Sequence, residues 1–395
     1  MSINDIIKQE VQNILDEVIS IRRHLHAHPE LSFKEFKTSE FIQNTLTSWG
    51  IPFKTGYVNT GIVVELTSGD SNKSLALRAD IDALPIQESS TKPYCSTNDN
   101  VMHACGHDAH TASLLGTLYI LNKNKALWSG QLTAIFQPGE ELLPGGAKLM
   151  LEAGALDSNP DHIIGQHVYP DLEAGKVGFR GGQYMASCDE IHLTISGTGG
   201  HAALPHKIID TVLIASQLIV SLQQVVSRKL SPYTPAVLSF GYVNANGATN
   251  IIPSEVHLKG TLRCMDEHWR SVAHTEIEKL TKHTVEGMGG EYDLDIRKGY
   301  PSLFNNPEFT EQAKSIAIDY LGQEHVVDLD LRMTAEDFAY YSQVIPACFY
   351  RFGTAEPNKV SEKKLHHPEF DIDEEKSLKT SVGIMTALTI HHLSL

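Results

Sequence analysis

The sequence predicts an α/β protein of two domains, one inserted into the other. Three observations carry this. Apolar runs of strand length alternate with helical stripes up to about residue 184. From residue 185 the pattern changes to strands of alternating polarity around two long helices, and after 298 the first pattern resumes. The chain has 395 residues, more than one compact core accommodates. The expected domains are therefore 1–184 with 298–395, and an insertion over 185–297.

Each element has its own signal. Ile7, Val11, Ile14, Val18, Ile21 and Leu25 form a helical stripe that ends before Pro29. Ile62 to Leu66 and Leu75 to Leu77 read as strands, the second running into Arg78-Ala79-Asp80-Ile81-Asp82. A helix is expected over 109–121, a buried strand over Leu132 to Phe136, a helix near 146–153 and a strand at Ile163-Ile164. In the insertion, a strand at 191–195 and a helix over about 208–228 precede strands at 236–243 and 256–264. A helix at 267–286 and a strand at 291–297 close it, giving the ferredoxin-like order β-α-β-β-α-β. Helices at about 307–321 and 335–343, a strand at Cys348 to Phe352 and a helix from about 374 complete the first domain.

Composition narrows the function classes. Lys and Arg number 32 against 48 Asp and Glu, a net charge of −16, which argues against a nucleic-acid partner. No apolar stretch is long enough to span a bilayer, and the first residues lack the features of a signal peptide. Five cysteines, widely spread and without a CxxC pair, suggest reduced thiols in a cytoplasm.

The chemistry concentrates in Met102 to His110, which holds Cys105 and three imidazoles, His103, His107 and His110. As a plain loop it would cap the following helix, with Asp108 near the N-cap. That leaves the thiol and imidazoles unexplained, and these are ligands that borderline metals prefer. Ligands in α/β sheets bind at the carboxyl ends of strands. Asp80 and Asp82, Glu140 and Glu141, and His167 all follow strands. Adjacent carboxylates are commonly solvated, yet here one could bind metal while the other serves as a general base. His366 and His367 offer a further imidazole, and the glycine-rich stretch Gly197 to His206 would let His201 approach a ligand closely.

In this order the segments resemble one family across nearly the whole chain. They are Arg23 to His26 with Pro29-Glu30, Arg78 to Pro85, Met102 to Asp108, Phe136 to Glu141, His201 to His206, Asn250 to Pro253, Glu336 to Phe338, and Leu365 to Phe370. The family is that of di-metal amidohydrolases and peptidases that includes hippurate hydrolase, indole-acetyl-amino-acid hydrolase and N-acyl-amino-acid deacetylases, in the aminoacylase and glutamate-carboxypeptidase group. The resemblance implies a metallo-aminopeptidase-like catalytic domain with an inserted ferredoxin-like lid and dimerisation domain. It implies that Cys105, His107, Glu141, His167 and His366 hold two divalent ions, Mn²⁺ or Zn²⁺ with Co²⁺ and Ni²⁺ admissible, and that Cys105 bridges them. His366 is preferred to His367 because the family pattern reads Leu-His-x-Pro-x-Phe. Glu140 would be the general base that activates a water shared by the ions. His201 would reach the oxyanion, across a dimer interface. Asn250 and Arg263 would grip the substrate carboxylate. Asp80, Asp82 and Glu336 would orient the ligands.

The implied substrate is a small N-acyl-amino acid, acetylated or aromatic, or a peptide, and the implied assembly a homodimer through the inserted domain or a homotetramer. Ala109 stands where the family has Gly, and Gly139 where it has Ala. Other readings remain: a carboxypeptidase or dipeptidase of the same group, a non-catalytic binding protein, and a redox-sensing thiol at Cys105 favoured by electropositive surroundings.

Overall fold

The computed structural model describes residues 1–362 and 364–394. The chain separates into two compact units. One comprises Met1–Gly182, Phe304–Asp330 and the stretch from Asp337 onward; the other comprises Gln183–Leu303 and Leu331–Glu336. The first unit begins with helices α1 (Ile3–Ala27) and α2 (Phe36–Ser48) and strands β1 (Phe53–Tyr57), β2 (Gly61–Ser68) and β3 (Ser74–Asp80). It continues with α3 (His107–Lys123), β4 (Gly130–Gln137), α4 (Gly146–Glu152), β5 (His162–Glu173) and β6 (Val177–Phe179). The second unit holds β7 (Asp189–Ser196), α5 (Thr211–Gln224), β8 (Ala236–Asn244), β9 (Glu255–Cys264), α6 (Glu267–Gly287) and β10 (Glu291–Lys298). The chain returns to the first unit with α7 (Pro307–Leu321), β11 (Val326–Asp328), the single turn α8 (Ala339–Ser342), β12 (Ala347–Ala355) and α9 (Glu374–Ser394).

Eight strands of the first unit form a mixed sheet in the order β1-β2-β4-β3-β5-β12-β6-β11. Its centre is parallel, β4 and β5 flanking β3 and β12 flanking β5. Every residue of β3 and β12 is buried, so both faces of the sheet are covered. The stripe of α1 is buried against α3 and α9, and Ser2 and Asp5 form a reciprocal cap at its start. Helices α3 and α9 are buried on almost every face and so lack a narrow apolar stripe.

In the second unit the strands are antiparallel, ordered β8-β9-β7-β10, with β9 and β7 central. Strand β7 alternates, and its Ile191, Leu193 and Ile195 share a core with Leu218 and Leu222 of α5 and Ile277 of α6. At the strand's start, buried Asp189 receives the Arg270 guanidinium on both carboxylate oxygens and lies 2.7 Å from His274 Nε2.

Several elements differ from the sequence expectation. The helix expected over 335–343 is only Ala339–Ser342, because Asp337 commits its carboxylate to Arg78, Gln137 and the Ala147 amide. The helix expected over 208–228 starts at Thr211, where Asp210 accepts from the Leu213 amide, and its last turn, Val225–Lys229, widens to a π-helix. His167 does not follow its strand; β5 runs on to Glu173 because β12 continues to pair with it. Asp108 lies near the N-cap as expected, two residues past Gly106, but its carboxylate caps nothing and turns to Arg22 and His26. Helix α2 carries no clear sequence signal, since Glu35 at its start makes no side-chain cap.

Candidate metal centre

The site forms at the carboxyl edge of the central strands. Asp80 ends β3, in register with Gln137 at the end of β4. Pairing between β3 and β5 stops at Arg78 and Gly165, two residues before His167. His167 therefore stands where the two strands part, next to Cys105 of the loop before α3. Gly106 brings that loop close: its φ is +79°, and a Cβ there would lie 2.6 Å from a Val168 methyl.

Cys105 Sγ lies 3.5 Å from His167 Nε2. The ligand atoms of Cys105, His107 and His167 lie within 4.8 Å of one another, as do those of Cys105, Glu141 and His366, and those of His107, Glu140 and Glu141. His366 reaches in from an exposed turn, its amide donating to Ala104 O and its Nε2 3.3 Å from Glu141 Oε1. His367 instead accepts from the Glu369 amide.

The ring nitrogens are set by their outer partners. His107 Nδ1 is 3.2 Å from Asp82 Oδ1, and His167 Nδ1 donates to Val168 O at 2.9 Å. In each ring Nδ1 is thereby engaged and Nε2 is the nitrogen left to face a cation. His110 donates from Nδ1 to Asp80 Oδ1 at 2.6 Å and accepts the Val168 amide on Nε2 at 2.9 Å. Both its nitrogens are spent, so it supports the ligands instead of joining them. Asp82 Oδ2 accepts from Ser32 Oγ at 2.6 Å and from the Glu141 amide at 3.0 Å. Arg78 donates to Asp80, Gln137 and Asp337, a buried cation under the acid-rich edge.

The donor set fits a cation. Two inward atoms, His107 Nε2 and Glu141 Oε1, are buried without a hydrogen bond. Burial alone would lower His107, but Asp80, Asp82 and Glu141 carry it up to about 10. Burial and the charges of Glu141, Glu140 and Asp80 push the Cys105 thiol well up. The depressed thiol expected for a redox sensor is thus not found, because burial and the nearby carboxylates favour the protonated form. Burial would raise Asp80, but Arg78, His107 and His110 outweigh it and hold it well below the usual carboxylate range. Among the described residues the cysteines are free thiols.

The remaining expected residues, His201, Asn250, Arg263 and Glu336, belong to the second unit. His201 and Asn250 sit together in the second unit, where Gly200–His201 pairs with Ile251–Ile252 and the Ala202 amide donates to Asn250 O. Both are exposed. Arg263 lies near the far end of β9, paired with Val237. From Glu255 at the near end that is about 27 Å at ~3.4 Å per residue. Glu336 is buried. Its neighbour Asp337, given no role by the sequence, accepts from Arg78, Gln137 and the Ala147 amide. Ser32, Glu35 and Arg22 also gave no signal in the sequence; they flank the motifs around Arg23 to His26 and Pro29-Glu30 without belonging to them.

An α/β sheet edge with thiolate, imidazole and carboxylate donors beside an acid pair defines a metal-dependent hydrolase, and its relatives act on amides. The profile of the family described as Peptidase family M20/M25/M40 matches residues 76–391, and the chain belongs to that family. It is 39% identical over 365 residues to the N-acetyl-L-cysteine deacetylase of Bacillus subtilis, covering 92% of this chain and 86% of the relative. It is 42% identical over 305 residues to the N-acyl-L-amino acid amidohydrolase of Geobacillus stearothermophilus, covering 76% and 82%. A thermostable carboxypeptidase of Saccharolobus solfataricus is 35% identical over 378 residues, 95% of each chain. The crystal structure of the Bacillus subtilis YXEP protein, a dinuclear metal binding peptidase from the M20 family, superposes with a TM-score of 0.84 at 34% identity, covering 97% and 99%.

Proposed function

We propose that this chain hydrolyses the amide bond of N-acyl-amino acids, with Cys105, His107, Glu141, His167 and His366 holding two divalent ions and Glu140 acting as general base. The observation that carries this is the overlap of the donor groups: Cys105 belongs to the triad with His107 and His167 and also to the triad with Glu141 and His366. Cys105 would thus be common to the two sets of residues that would hold the ions. Bound there, the ions supply Lewis acidity to the carbonyl and make water more acidic, Mn²⁺ and Zn²⁺ both suiting the donors.

The side chains supply the rest. Glu140, next to Glu141 and with its carboxylate 4.0 Å from His107 Nε2, takes a proton from the attacking water and returns it to the leaving amine. The products are a carboxylate and a free amine. His201 accepts the Ala203 amide on Nδ1, so a neutral ring carries its proton on Nε2, ready to donate to an oxyanion. Such a donor is worth about 3–4 kcal/mol in the transition state. Arg263 presents a planar fork to the substrate carboxylate.

We also read the insertion over 185–297, which falls within the second unit, as a ferredoxin-like lid and dimerisation domain. Asn250 precedes β9, beside the Gly200–His201 pairing, whereas Arg263 lies near the strand's other end. A homodimer, alone or within a homotetramer, would bring one copy's His201 and Asn250 to its partner's site. Free thiols among the described cysteines suit a cytoplasmic setting, and no helix among the described residues is long and apolar enough to cross a membrane.

The carboxypeptidase relative favours a second reading, cleavage of a peptide. Metal analysis of the purified protein, then assays after reconstitution with each ion on N-acetyl amino acids, hippurate and dipeptides, separates the two. Higher kcat/KM on the acyl substrates supports the deacylase reading; higher values on dipeptides overturn it.

A further inference from the structure

The loop that carries Glu140 and Glu141 is held at three backbone amides. Glu141 N donates to Asp82 at 3.0 Å and Ala147 N to Asp337 at 2.9 Å. Gly139 N donates to Glu35 Oε1 at 2.9 Å. The loop is also closed on itself, Gly146 N donating to Gly139 O at 2.9 Å. Asp82 and Asp337 belong to the networks that hold ligands or buried cations. Glu35 does not. It reaches the loop from the turn before α2 and grips the residue immediately before Glu140.

Glu35 is fully buried, and its hydrogen bonds come from neutral donors. Oε1 accepts from the Phe33 and Gly139 amides, and Oε2 from Thr60 Oγ1 at 2.9 Å. A buried carboxylate held this way is a poor choice for stability alone, because desolvation opposes its charge. Burial, and then the charge of Asp82, push its pKa up to about 7. The same turn contains a second uncommon feature. Phe33 adopts φ +63°, rare for a bulky residue, and its ring lies where a Gly139 Cβ would stand, 2.3 Å from that position. Gly139 itself is at φ +66°. The glycine at 139, where the family has alanine, therefore goes with a phenyl ring packed on the loop backbone. Ring and carboxylate together fix the direction in which the chain enters Glu140.

We propose that Glu35 is a positioning residue for the general base: it acts through the Gly139 amide on Glu140 and leaves the metal ligands to Asp82. This rests on the assignment of Glu140 as base. The structure distinguishes a role in aiming from a role in charge. A glutamine at 35 keeps an oxygen toward both amides and an NH₂ toward Thr60 Oγ1, which can accept. An aspartate keeps the charge but falls one methylene short of Gly139.

The test compares E35A, E35D and E35Q with wild type, all reconstituted with Mn²⁺ or Zn²⁺, with kcat, KM and bound metal measured per folded molecule. E35A and E35D should lose about 10–100-fold in kcat, as misplacement of a reacting group costs, with KM and metal content unchanged. E35Q should stay within about threefold of wild type, the difference between a charged and a neutral acceptor. Wild-type kcat in folded E35A overturns the proposal, since a merely structural residue would lower thermal stability and leave kcat alone. If E35A does not fold, wild-type kcat in E35D overturns it. So does E35Q as impaired as E35A, or metal loss that matches the loss of kcat. E140Q run alongside separates the two assignments: if E140Q keeps turnover, the base assignment fails, and if E140Q is inactive while E35A is not, only Glu35 fails.

Discussion

Asp82 and His107 form the joint on which the ligand geometry turns. One oxygen of Asp82 faces His107 Nδ1 at 3.2 Å while the other holds the Glu141 amide, so a single carboxylate sets the tautomer of one ligand and the backbone of another. Replacing Asp82 with Ala should weaken metal binding by about 10–100-fold, the usual cost of losing an outer partner of a metal-bound imidazole. Chelator competition reads this directly. Unchanged affinity would show that His107 holds its orientation without Asp82.

Removing the base should separate binding from turnover. Glu140→Gln keeps the shape and removes the proton acceptor. We expect metal content to stay at the wild-type level and kcat to fall by about 10²–10⁴-fold. Undiminished turnover in E140Q would take Glu140 out of the mechanism.

Metal loading should release protons. Without a cation, His107 titrates at about 10 and the Cys105 thiol is pushed well up, so at neutral pH both carry a proton that a metal must displace. About two protons should leave as the site fills, and affinity should rise with pH. Calorimetry in buffers of different ionisation enthalpy counts them. A heat independent of the buffer would contradict protonated ligands.

Arg263 offers a fork that Lys cannot copy. Arg263→Lys should lower kcat/KM on N-acyl-amino acids by about tenfold or more and leave the matching amide-capped substrates nearly unchanged. Equal losses on both would argue against carboxylate recognition.

The second unit carries its own pH dependence. Burial would raise Asp189, but Arg270 and His274 outweigh it and bring it down to about 2, from 3.8 for a free carboxylate. A lowered folded value means that the unfolded chain takes up the proton first. Stability from Asp189 is therefore present above pH 3.8 and is lost as pH falls through about 2. Asp189→Asn should cost about 3–5 kcal/mol near neutral pH, as breaking a buried pair does, and less in acid. Urea midpoints of wild type and variant at both pH values test this. A gap that stays constant would refute the assignment.

Periodicity and spacing were enough to find most long elements, because a buried helix face or strand imposes its repeat on the residues that form it. The α1 stripe, the β4 run ending at Gln137 and the alternation of β7 are cases. Family-like motifs also marked Cys105, His107, Glu140, Glu141, His167 and His366 as one candidate set. Short edge strands such as β1 and β11, and helix α2, bury too little to leave a pattern.

The sequence by itself determined which donor chemistry this protein has at its disposal, since thiol, imidazole and paired carboxylates are residue identities. Only the tertiary structure decided how those groups are used. His107 and His110 are alike in sequence, but one has a free inward nitrogen and the other has both nitrogens occupied. Glu35 lies 104 residues from Gly139 and Asp337 200 from Gln137, yet each pair is joined by a hydrogen bond. Such contacts follow from strand order and register, which bring distant segments to one sheet edge and leave no mark in the local pattern of residues.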